Sequence, residues 1–189
     1  MTVHYTGIGS TDISSHIVEL LRQIGTTLAQ AGYTLRSGGA SGADTAFEEG
    51  CNSVEGKKEI YLPWSKFNGR DETNEGYYCT RDTHYEEYKL AKEIASQTHP
   101  AWDTLKDGAK MLHTRNCHQV LGLDLKTPSA FVVCYSEANV GKAPNFVRGT
   151  GQALRLAAAH KVATYNLADP DHYAAFREEV VKPLFLLRE

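Results

Sequence analysis

Hydrophobic and polar positions along the chain alternate between short β-prone runs and stretches of helical period. Short β-prone runs at 3–9 (VHYTGIG), 33–39 (YTLRSGG), 59–63 (EIYLP), 129–136 (SAFVVCYS) and 162–167 (VATYNL) predict five strands. Between the first two, Ile13, Ile17, Leu20, Leu21, Ile24 and Leu28 recur three and four residues apart, which predicts an amphipathic helix over 13–32. Asp12 is the expected N-cap of that helix and Gly32 its stop. Further helices are expected from near Gly42 to about Cys51, over 104–122, over 149–161 and over 170–185 with Asp169 at its start. The run SAFVVCYS is almost continuously apolar, as a parallel strand buried on both faces should be. Strands alternating with helices predict an α/β domain: a doubly wound, mostly parallel sheet with helices on both faces, spanning 1–189 as one unit.

One segment breaks this rhythm. Residues 64–103 carry both tryptophans and Phe67, Tyr77, Tyr78, Tyr85 and Tyr88 among many polar residues. Only HYEEYKLAKEIASQ (84–97) reads as a helix by its periodicity. An insertion of this length inside a compact domain is a lid, a binding loop, or a small element with its own core.

Composition narrows the function classes. Among 189 residues, 41% are hydrophobic and 23% charged, and 20 basic against 23 acidic side chains leave a net charge of −3. No strong positive field is available for coating nucleic acid or an anionic membrane. No apolar run approaches the ~18 residues of a spanning helix, and MTVHYTGIGSTD has no signal-peptide pattern. The four cysteines form no CxxC pair, so free thiols in a reducing cytoplasm are expected.

Three glycine-rich turns each follow a predicted strand and precede a predicted helix: GIGST (7–11), SGGASGAD (37–44) and GTGQ (149–152). Glycine allows close backbone approach to a phosphate, and the first amides of the following helix attract an anion. In a parallel sheet these turns share one edge and can converge on one crevice. The candidate ligand residues are therefore Gly7, Gly9 and Ser10, then Ser37, Gly38, Gly39, Ser41, Gly42 and Asp44, and finally Gly149, Thr150 and Gly151. The first turn alone is weak, because Asp12 replaces the third glycine of GxGxxG. Asp44 either caps the second helix or accepts from ribose hydroxyls.

Those loops, together with HTRNCHQVLGLDL (113–125), the strand AFVVCYS and the string GTGQALRLAAAHKVATYNL (149–167), resemble the SLOG superfamily, and within it the small stand-alone DprA-like proteins of bacteria and phages. The resemblance covers nearly the whole chain. It implies a Rossmann-like domain whose glycine loops bind nucleotide-derived ligands, and a homodimer or higher assembly. The hydrolytic branch of the superfamily carries PGGxGTxxE; here the stretch reads Arg148-Gly149-Thr150-Gly151-Gln152-Ala153, without the glutamate. Arg148 stands where similar chains usually have glycine.

Several other groupings bear on chemistry. Arg115-Asn116 matches the family's RN pair and serves either as a packing link or as a phosphate contact through the guanidinium fork. His113 and Cys117 have helical i,i+4 spacing, but no second cluster completes a metal site, so no metal and no cofactor are expected. Trp64, just past the third strand, is the expected stacking surface for a base. Arg70 and Arg81 are either phosphate contacts or exposed charge. Glu48 and Glu49 are candidate acids near a glycosidic bond, or a solvated helix face. The expected function is binding of a phosphate-containing nucleotide, of the ADP-ribose, NAD or cyclic-nucleotide class, in a form able to sequester a signal. The alternatives are nucleotide N-glycosidic hydrolysis and single-stranded DNA binding, the latter disfavoured by the acidic balance.

Overall fold

The structure, a computed structural model, describes residues 2–186. Six strands make one sheet: β1 (His4–Gly9), β2 (Thr34–Ser37), β3 (Lys58–Tyr61), β4 (Tyr77–Tyr78), β5 (Phe131–Tyr135) and β6 (Ala163–Asn166). Their order is β4-β3-β2-β1-β5-β6, and every pairing is parallel. The chain therefore steps outward from β1 to β4, then returns to the other side of β1 and steps outward again. This is a Rossmann-like α/β arrangement, and its sheet is wholly parallel. The unforeseen strand, β4, pairs Tyr77 with Ile60 and Tyr78 with Tyr61 inside the 64–103 insertion. Two residues are too few to display a period of two.

The helices are α1 (Ser15–Gln30), α2 (Ala43–Asn52), α3 (Thr80–Thr83), α4 (Tyr85–Thr98), α5 (Asp107–Leu121), α6 (Arg148–Ala159), α7 (Pro170–Phe176) and α8 (Lys182–Leu186). A π turn over Arg177–Val181 joins α7 to α8. Asp169 caps α7 as expected, accepting from the Asp171 amide at 3.0 Å. The cap of α1, however, is Ser14, which accepts from the Ile17 amide. Asp12 lies two residues too early to cap the helix and is left facing a crevice.

Alternation along the strands divides the core into two layers. Tyr5, Phe131 and Val133 face Leu21, Leu28, Phe47 and Phe176 on one side of the sheet. Ile8, Val132 and Cys134 face Cys117, Leu154 and Leu156 on the other. Thus α1, α2 and α7 cover one face, whereas α4, α5 and α6 cover the other. Each fully buried large apolar side chain stabilises the fold by roughly 1.5–3 kcal/mol. The α1–α2 crossing is unusually close because Gly50 faces Arg22; a Cβ on Gly50 would lie 2.0 Å from the Arg22 carbonyl oxygen. All four cysteines are buried and unpaired. Among the described residues, no helix is long and apolar enough to cross a membrane.

Helix α5 departs most from its sequence pattern. His113, Thr114, Arg115, Asn116, Cys117, His118 and Gln119 are all buried, although most are polar. An amphipathic reading assigns one apolar stripe to such a helix. Here the helix is enclosed by the sheet, α4 and α6, and the polar side that remains forms a wall of the crevice.

Candidate functional site

The strand order reverses between β1 and β5, whose last residues, Gly9 and Tyr135, are paired in register. The helices that follow these strands lie on opposite faces of the sheet, so a gap opens at the carboxyl edge. That gap is a crevice of about 880 Å³, within the range of small-molecule sites. Gly9, Ser10, Tyr135 and Ser136 line it at the sheet edge, and Arg148, Gly149 and Thr150 at the start of α6. Ala109, Leu112, His113, Arg115, Asn116 and Gln119 line it from α5.

The second glycine loop does something other than expected. Its amides turn inward to Asp44, which accepts from Gly38 at 3.1 Å, from Ala40 at 3.4 Å and from Gly9 at 3.3 Å. Arg115 Nη1 stands 3.4 Å from the same carboxylate, and both side chains are buried. Burial pushes the Asp44 carboxyl above the ordinary aspartate range, an effect partly offset by Arg115 and the three amides. The anion cradled by SGGASGAD is thus the chain's own aspartate. Gly38 is needed because a Cβ there would lie 1.1 Å from Arg115 Nη1.

The remaining residues of the first two loops are distributed accordingly. Gly7 points into the core, where a Cβ would meet the Phe47 ring at 2.8 Å. Ser37 is fully buried and donates to the Gly7 carbonyl at 2.7 Å. Gly39 is buried beneath Arg70, whose Cδ would be 2.7 Å from an added Cβ. Gly42, with φ +73°, packs against the carbonyls of Ser10 and Thr11. Ser41 is exposed and lies outside the crevice lining. Only Gly9, Ser10 and Asp44 of these candidates border the crevice, joined by Thr11, Asp12 and Ala40.

The start of α6 brings uncapped backbone donors to the crevice wall. Asn139 clamps Val147 like a neighbouring strand: its Oδ1 accepts from the Val147 amide at 2.7 Å, and its Nδ2 donates to the Val147 carbonyl at 3.1 Å. Nδ2 also donates to Ser136 Oγ at 2.8 Å, tying the clamp to the end of β5. Val147 supplies no side-chain cap to α6. The Gly149 and Thr150 amides have no carbonyl to reach within the helix, and both residues line the crevice. Arg148 holds φ +61°, the left-handed conformation that suits glycine. A left-handed residue running into a right-handed turn converges successive N–H groups into an anion-binding nest. Gly151 serves packing instead, since an added Cβ would lie 2.8 Å from the Phe146 carbonyl carbon.

The Arg115-Asn116 pair bridges the loops. Arg115 reaches the second loop through Asp44, and Asn116 Nδ2 donates to the Gly149 carbonyl at 3.2 Å. Gln119 completes the link with its carboxamide oriented to satisfy both ends. Its oxygen then accepts from the Gly38 amide at 2.8 Å, and its nitrogen donates to Asn116 Oδ1 at 2.8 Å. One turn earlier, burial holds the His113 imidazole down at about 4, so the ring is neutral near pH 7. His118 points away and stacks on Tyr61 at 5.4 Å. Among the described residues no three His, Cys, Asp or Glu side chains assemble a metal site.

The insertion reaches the crevice through a residue other than Trp64. Trp64 is half-buried and packs edge-on against Phe67 at 5.0 Å, and it is Phe67 that lines the opening. Arg70 donates to Glu48 at 2.7 Å and to Thr45 at 2.9 Å. Tyr77 also donates to Glu48, at 2.6 Å. Glu48 is thereby consumed in a buried ion pair, while Glu49 pairs with Arg22 on the outer side of α2. Arg81 pairs with Asp82. The carboxylates that border the crevice are Asp12, Asp44 and Glu137, of which only Asp44 has an ionic partner among the described residues.

Sequence reading named Phe67 within the aromatic set but preferred Trp64, and it missed Ser136, Asn139, Gln119 and Glu137. Gln119 and Ser136 lie inside the strings HTRNCHQVLGLDL and AFVVCYS without being marked there as ligand residues, and Asn139 and Glu137 belong to no motif. Ser136 alone carried a usable signal, as the first polar residue past the apolar strand β5.

Fold and crevice together define an open, Rossmann-like α/β protein with a ligand-sized site at the sheet's switch point. No family model, curated protein or solved structure matches this chain.

Proposed function

We propose that the protein binds a phosphate-containing nucleotide in the switch-point crevice, with the phosphate at the first turn of α6. The observation that carries this reading is the uncapped first turn of α6 on the crevice wall at Gly149 and Thr150, beside Arg148, whose guanidinium forms no ion pair among the described residues. Helix dipole, nest geometry and a cationic side chain all favour an anion there. The Thr150 hydroxyl and Ser10 would add polar contacts, and the crevice carboxylates Asp12 and Glu137, the latter also accepting from the Tyr135 hydroxyl, would accept from ribose hydroxyls. The likeness of the glycine loops to SLOG, DprA-like proteins supports the same class of ligand, ADP-ribose, NAD relatives or cyclic nucleotides among them. Four buried, unpaired thiols fit a reducing cytoplasm, and the same likeness favours a homo-oligomer.

Binding rather than hydrolysis is the reading the site favours. Glu48 and Glu49 are both paired away from the crevice, and Gln152 stands in α6 near where hydrolytic relatives keep an acid. The test is calorimetric titration with AMP, ADP-ribose, NAD, cyclic AMP and an oligothymidylate, followed by chromatography of the recovered ligand. Saturable binding of a mononucleotide or dinucleotide, recovered intact, supports the proposal. Tighter binding of the oligothymidylate would replace it with a single-stranded DNA function. Steady release of free base, abolished in Asp12→Asn or Glu137→Gln, would replace it with hydrolysis.

A further inference from the structure

Phe67 occupies an unusual piece of backbone. Lys66, Asn68 and Gly69 have φ of +56°, +49° and +74°, so left-handed residues flank the aromatic ring on both sides. Non-glycine residues adopt this region at a cost and persist there only when the surroundings hold them. The surroundings here are specific. Asn68 Nδ2 donates to the Gly39 carbonyl at 3.0 Å, and the next residue but one, Arg70, is anchored by Glu48 and Thr45. Trp64 braces the ring edge-on from behind. Phe67 packs against the edge of the core that holds Phe47 and Leu62, and the strained, multiply pinned tip presents the rest of its half-buried ring to the crevice.

The rest of the crevice mixes polar and apolar lining. Ser10, Ser136 and the first turn of α6 at Gly149 and Thr150 border it, as do Ala40, Ala109 and Leu112. A nucleotide needs both kinds of surface, polar groups for its anionic part and an aromatic face for its base.

We propose that Phe67 is the base-stacking residue of this site, a specificity determinant that selects a nucleotide over a base-free sugar phosphate. The proposal rests on the nucleotide reading above and adds the position of the base, against the insertion at Phe67. Because the ring is fixed before the ligand arrives, little ordering is required when the base stacks. Stacking is tolerant of base identity, since every base has a π face, so purines should be favoured over pyrimidines only by their larger area.

The test compares AMP with ribose 5-phosphate, which differ only in the adenine, on wild type, Phe67→Leu and Phe67→Trp. Phe67→Leu should weaken AMP binding roughly 10-fold and leave ribose 5-phosphate unchanged, while Phe67→Trp should retain AMP binding. In a Trp102→Phe background, emission from Trp64 should change on adding AMP but not ribose 5-phosphate. Equal losses for both probes, or no loss for AMP, would overturn the stacking assignment while leaving the nucleotide site standing. Failure of wild type to bind either probe would overturn the nucleotide reading and this inference with it.

Discussion

Asp44 Oδ2 stands 3.4 Å from Arg115 Nη1, beneath a glycine loop whose amides converge on the same carboxylate. A loop with the composition of a phosphate cradle is therefore closed by an internal anion. It fixes the second loop to α5, and through Asn116 to the start of α6, so the pair sets the shape of the crevice.

Removing either partner leaves an uncompensated buried charge, which typically costs about 3–5 kcal/mol. Asp44→Ala and Arg115→Ala should each lower the urea midpoint by a corresponding amount. The double variant should recover part of the loss. A double-mutant cycle in urea checks this; additive losses would show that the two charges do not interact.

Gly39→Ala should destabilise the fold rather than act on a ligand alone. The residue has φ +64° and lies under Arg70. Strain of about 1–2 kcal/mol is expected for an L-residue in this conformation, with a further loss as Arg70 is displaced from Glu48. Thermal unfolding of the variant without ligand is the measurement, and an unchanged Tm would contradict it.

Arg148→Gly runs the other way. It relieves the left-handed strain at φ +61°, while glycine adds entropy to the unfolded chain. The balance should be a gain of about 0.5–1 kcal/mol. Phosphate-ligand affinity should fall at the same time, because the guanidinium is lost while the amides remain. A variant both less stable and unchanged in AMP affinity would argue against the assignment.

Acid should weaken the fold through its buried histidines. Burial lowers His118 to about 4 and His113 to about 4, whereas in the unfolded chain each titrates near 6.5. The unfolded state thus binds more protons between these values, so the stabilising contribution is full above about pH 6.5 and is lost as pH falls toward 4. His118 Nδ1 faces the Gly122 carbonyl at 3.2 Å, which fits a neutral ring donating from that nitrogen. His118→Phe, which keeps an aromatic ring against Tyr61, should flatten the fall in urea midpoint over this window relative to wild type. Parallel pH profiles for the two proteins would refute it.

Much of this molecule was legible before its tertiary structure. Short β-prone runs ended by glycine or proline marked five of the six strands, and the 3.6-residue period marked the long helices, because a helix with one buried face repeats its apolar positions at that period. Glycines after strands marked the turns of a parallel sheet, and the continuous apolar run at 129–136 marked the central strand beside β1. What composition could not decide was which way each glycine loop faces. Gly38 and Gly39 have the same local chemistry as Gly149, yet a carboxylate six residues on and an arginine from α5 turn the second loop inward. Asn139, in the short turn after β5, fixes the Val147 backbone that leads into α6 by mimicking a strand. Phe67 rather than Trp64 reaches the crevice because Arg70 pins the insertion against Gly39 and Glu48. Sequence sets what each segment prefers locally. The second loop and Phe67 are decided by contacts between residues tens of positions apart, such as Arg115 with Asp44 and Arg70 with Glu48, and even the eight-residue reach of Asn139 to Val147 exists only once the loop is folded.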